Sequence, residues 1–128
     1  MKVTELIDET AYKIVAELKK ADLIKSNKLG TFEKTEKVLY AYSDWKESDG
    51  KETRKLVKQI EKALKKIEAE PYYELIELKY FKGWTHERIA EYFDVDEKTI
   101  RYQRQKLIER LRPIIFSDEF IHELIFDM

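Results

Sequence analysis

The chain has no cysteine, which excludes disulfides, cysteine nucleophiles and cysteine-ligated zinc. Its 128 residues include only two prolines and three glycines. A sandwich or barrel of many short strands needs more turn residues than that. The only two histidines, His86 and His122, lie far apart and fit no ligand spacing of the H-E-x-x-H kind. The glycines stand singly, so there is no glycine-rich phosphate loop. No apolar run reaches the roughly 18 residues of a membrane span, and the first residues lack a signal-peptide core. The expectation is a cytoplasmic protein that is not an enzyme, with no catalytic residues, no metal site, no cofactor and no membrane contact.

What is present points to a folded helical chain. Hydrophobic residues make up 43% and aromatics 12%, too much for disorder. Charge is abundant but balanced, with 25 basic and 26 acidic side chains and a net charge of −1. Read as a total, that balance argues against a polyanionic partner. Read along the chain, it does not. Residues 98–106 hold Lys98, Arg101, Arg104 and Lys106 and no acid, whereas residues 113–128 hold acids and no lysine or arginine. An ordinary solvated helix face would carry the same cations.

Apolar spacings of three and four recur along the sequence. Val3, Leu6, Ile7, Ala11, Ile14, Val15 and Leu18 predict a helix over 3–24, with a loop at Ser26, Asn27 and Gly30. Val38, Leu39, Tyr42 and Trp45 predict a second helix over 33–47, ended by Ser48-Asp49-Gly50. Leu56, Ile60, Ala63 and Ile67 predict a third over 51–69, which packs on its neighbours or dimerises. Pro71 ends that helix or opens the next, over 71–82, and Gly83 closes it in the left-handed region. The tail 117–126 has Ser117 as N-cap and a stripe of Phe120, Ile121, Leu124 and Ile125. It is expected to fold back on the core, with a dimer or polymerase contact as the alternative.

The stretch from Trp84 to Arg112 is the informative one. Thr85 is a good N-cap for a short helix over 86–93, and Asp96 for a longer one over 97–112. Trp84 with Ile89, and Val95 with Ile100, can act as hydrophobic staples. Two such helices joined by a tight turn make a helix-turn-helix, and Ala90 is small enough for a close crossing. In that geometry the first half of the second helix enters the DNA major groove. Its outward residues are Glu97, Lys98, Arg101, Tyr102 and Gln105. Arginine pairs with guanine, glutamine with adenine and glutamate with a cytosine amino group. Thr85, His86 and Arg88 open the preceding helix, where free N–H groups suit phosphate. Arg104, Lys106 and Arg110 are expected on the DNA backbone or in water.

The run ELKYFKGWTHERIAEYFDVDEKTIRYQRQKLIERLR resembles the region 4 helix-turn-helix of sigma factors and related activators. More broadly, 35–48 and 60–124 are similar to the ArpU family, phage-encoded regulators of Gram-positive bacteria that are RinA-like in type. The resemblance implies that Lys98, Thr99, Arg101 and Tyr102 are the readout positions. It also implies a phage or prophage regulator, acting in a bacterial host on late or lysis genes, with double-stranded DNA as partner. RNA polymerase and a second copy of the chain are the further partners. Asp94 stands where many relatives have glycine in the turn, which predicts some strain. Tyr102 and Gln103 replace residues that are often basic in relatives.

The resulting expectation is an all-α protein. An N-terminal helical region, 1–69, serves oligomerisation or partner contact. A sigma-region-4-like helix-turn-helix with a short C-terminal helix occupies 70–128. Two rival functions remain: a small-terminase-like DNA-packaging protein, and a module that binds polymerase or a sigma factor rather than DNA.

Overall fold

A computed structural model describes residues 31–126, together with Lys13 and Ala16, which are both helical. The remainder of the helix expected over 3–24 lies outside the described residues, as does the side chain of Ile125. The described residues form helices and no strand. Helix α1 is Phe32–Trp45 and α2 is Lys51–Ile67. A short turn of helix, α3 (Glu74–Ile76), runs straight into a π-helical segment, Glu77–Phe81. Then come α4 (His86–Phe93), α5 (Glu97–Ile115) and α6 (Asp118–Phe126).

Local chemistry sets most of these boundaries. Thr31 caps α1 by accepting from the Lys34 N–H, and its carbonyl accepts from the buried Thr35 hydroxyl at 2.9 Å. In place of the regular helix expected over 71–82, Pro71, Tyr72 and Tyr73 form turns. The following helix then widens, with the Lys82 N–H reaching the Glu77 carbonyl five residues back at 2.9 Å. Such an insertion lets Leu75, Ile76, Leu78 and Tyr80 all be buried, which a uniform 3.6-residue pitch would not favour. Gly83 closes the segment with φ +71°, as its sequence position predicts.

Helix α5 outruns its expected end at Arg112. Pro113 lies inside it and Ile115 is its last residue. The proline forfeits one intrahelical hydrogen bond. Burial of Ile115 and Phe116 offsets that loss, and the Gln59 side-chain amide donates to the Ile114 carbonyl at 2.6 Å. Ser117 then caps α6 by accepting from the Phe120 N–H at 3.2 Å.

One hydrophobic core runs from Val38 in α1 to Leu124 in α6. Helix α5 is its axis. Helices α1, α2, α3 and α4 all pack against α5, and α6 packs on α2. Tyr72, Tyr73 and Phe81 lie partly buried against this core. The helices on either side of residue 69 therefore share one interior. No helix of the described residues is long and apolar enough to cross a membrane.

Candidate nucleic-acid interface

Thr85 caps α4, its hydroxyl accepting from the Arg88 N–H at 3.2 Å. The last turn of α4 ends at Asp94, whose backbone is left-handed at φ 55° and ψ 49°. The Asp94 N–H donates to the Glu91 carbonyl and the Val95 N–H to the Ala90 carbonyl, a Schellman closure. This is the strained turn that aspartate in a glycine position predicts. Asp96 then caps α5, its carboxylate accepting from the Thr99 N–H at 2.7 Å. Hydrogen bonding from the Thr99 side chain and N–H, aided by nearby Lys98, holds the Asp96 carboxyl below its ordinary value. Ala90 and Ile89 are buried where α4 meets α5.

These caps and the turn present the first turns of α5 outward. Lys98, Arg101, Tyr102, Gln105 and Lys106 are all exposed, Tyr102 to 63%. Glu97 is partly covered and pairs with Arg101 at 2.9 Å, one helical turn on. Thr99 is partly covered too, and its backbone N–H is engaged by the Asp96 cap. The face therefore offers a fork of donors, a lysine point charge, an amide and a phenol. Helix periodicity keeps it clear of the buried side of α5, formed by Ile100, Leu107, Ile108 and Leu111.

The start of α4 lies beside this face. Thr85 and Arg88 are exposed, and the Arg88 guanidinium stacks over the Trp84 ring at 3.8 Å from its centroid. His86 is half-buried and its Nε2 has no hydrogen-bond partner. Burial pushes its imidazole below the ordinary value, and the charges of Lys79, Arg104 and Arg101 push the same way. Among the charges around it only Glu97 pushes the other way.

Arg104 departs from its expected place on the DNA backbone or in water. It turns inward to α1, where Glu36 receives it at 3.0 Å. Its spacing of four from Ile100 and to Ile108 marks it as inward-facing, but nothing local marks Glu36 as its partner. Arg110 pairs with Glu70 and Arg112 with Glu109. Lys79, on the π-helical segment, also belongs to the cationic surroundings of His86, and the sequence offered no signal for it. Among the described residues no group of three or more His, Asp or Glu side chains is placed to hold a metal ion.

Residues 69–111, about a third of the chain, match the family described as Sigma-70, region 4. The matched segment runs from the start of the α2–α3 connection to Leu111 in α5, so it holds α4, the turn and all but the last residues of α5. No curated protein and no solved structure matches the chain. The segment is thus a region-4-like helix-turn-helix of the DNA-binding type, in an all-helical protein.

Proposed function

We propose that the chain is a sequence-specific regulator of transcription that binds double-stranded DNA and performs no chemistry of its own. The carrying observation is the exposed set Lys98, Arg101, Tyr102 and Gln105, presented on the first turns of α5 behind a tight left-handed turn. In this reading α5 enters the major groove, and Arg101 and Gln105 read base edges. Glu97 and Thr99 flank them, and Lys98 and Tyr102 divide between bases and backbone. Thr85, His86, Arg88 and Lys106 face phosphates, which supply affinity without sequence information.

The finer assignment rests on the ArpU-family resemblance of 35–48 and 60–124. On that basis the protein is a phage or prophage activator of late or lysis genes, working in the bacterial cytoplasm with RNA polymerase. Residues 70–128 read DNA, and 1–69 carry partner or self contacts. The test is selection of bound fragments from fragmented genomic DNA, followed by footprinting. A shared protected motif is expected, palindromic if two copies bind and a single half-site if one does. Failure to enrich any sequence, with no salt-dependent DNA binding, would overturn the reading.

A further inference from the structure

Arg104 sits within the helix assigned to DNA reading, yet it is not offered to DNA. Glu36 Oε2 accepts from Arg104 Nη1 at 3.0 Å and from the Tyr80 hydroxyl at 2.6 Å. Both members of the ion pair are mostly covered, with 26% and 20% of their side chains exposed. The Arg104 guanidinium lies 5.5 Å from the centroid of Phe32, and its Nε is buried without a partner. Tyr80 is itself buried, with its ring edge-on to Tyr40 at 4.7 Å. The Glu36 carboxylate is therefore fixed from two sides, by Arg104 of α5 and by Tyr80 of the π-helical segment.

The location matters as much as the bond. The charges of Arg104, Arg101 and Lys79 all act on His86, the first residue of α4. Arg104 also follows Arg101 by three residues on α5 and keeps 26% of its side chain exposed, so it borders the face assigned to DNA. An unneutralised arginine there would bind backbone of any sequence, because phosphate contacts carry no base information. We propose that Glu36 is a specificity-determining residue that keeps Arg104 out of the phosphate contacts, so that binding relies on the base-reading side chains. The inference rests on the DNA-binding reading above.

The experiment measures binding to a random-sequence duplex over a salt series for four full-length proteins. These are the wild type, Arg104→Met, Glu36→Gln and the double variant. Arg104→Met keeps much of the apolar stem and is expected to leave the log–log salt slope unchanged. Glu36→Gln is expected to steepen the slope by about 0.9, the signature of one added phosphate contact. The double variant should return to the wild-type slope. A purely structural Glu36 would lower the melting temperature without moving the slope, and a folded Glu36→Gln with an unchanged slope overturns the proposal. So does a slope shallower by about 0.9 in Arg104→Met, which decides the matter alone if Glu36→Gln fails to fold. Absence of salt-dependent binding by the wild type would remove the DNA reading and this inference with it. Salt-dependent binding by the wild type with an unchanged slope in a folded Glu36→Gln removes only the inference.

Discussion

Arg101 is the residue on which the proposed recognition turns most directly. In the free protein its guanidinium is held by Glu97 at 2.9 Å, with both side chains substantially exposed. Exposed pairs of this kind are worth little, so DNA can displace Glu97 at small cost. If Arg101 grips a guanine by two hydrogen bonds, Arg101→Ala should weaken the specific site by about 1–3 kcal/mol and random DNA much less. Titration of both duplexes checks this, and equal losses would reassign Arg101 to phosphate. Asp94 supports a second prediction. A non-glycine residue in the left-handed region costs roughly 1–2 kcal/mol, so Asp94→Gly should raise stability by about 1 kcal/mol in thermal or urea unfolding. The outward residues of α5 were legible because helix periodicity alone sorts inside from outside. The destination of Arg104 was not, since its partner lies 68 positions away in the chain.

At the scale of elements, short-range chemistry was the readable part. Helix α4 runs from His86 to Phe93 as the Thr85 cap and its apolar spacing predict. The Asp96 cap of α5 is equally local, and it carries a pH dependence. Its carboxyl is held below its ordinary value in the folded protein. The stability it supplies is therefore full above the unfolded value, about 3.9, and is lost as pH falls through the lower folded value. Asp96→Asn keeps a cap without the charge. The stability gap between wild type and Asp96→Asn in urea unfolding should be largest near neutrality and close on acidification. A gap independent of pH would mean that the charge contributes nothing. Two features escaped the local pattern. The π-helical segment spans only Glu77–Phe81, too short a stretch for apolar spacing to establish its period. The continuation of α5 past Pro113 depends on burial of Ile115 and on Gln59, a tertiary effect that overrides a local breaker.

For the whole molecule, the shared core decides what can be cut. Leu107, Ile108 and Leu111 of α5 are buried in the same cluster as Leu39 of α1 and Leu56 and Ile60 of α2. A fragment of residues 70–128 would leave those side chains bare. It should lack fixed tertiary structure, seen as a lost near-ultraviolet dichroism signal, and bind DNA only weakly. A folded fragment with full affinity would show that the helix-turn-helix stands alone. The all-helical class was legible because scarce turn residues and three-to-four spacing agree. The sharing of one interior was not, because apolar stripes show which face is covered and not what covers it. The docking of α6 on α2 also bears on how the chain is made. A polypeptide emerges amino end first, at roughly 5–20 residues per second. The apolar stripe of α2 therefore waits several seconds for α5 and then α6 to leave the ribosome. During that interval the nascent chain is exposed to chaperones and proteases, and its core is complete only once its late helices have closed over its early ones.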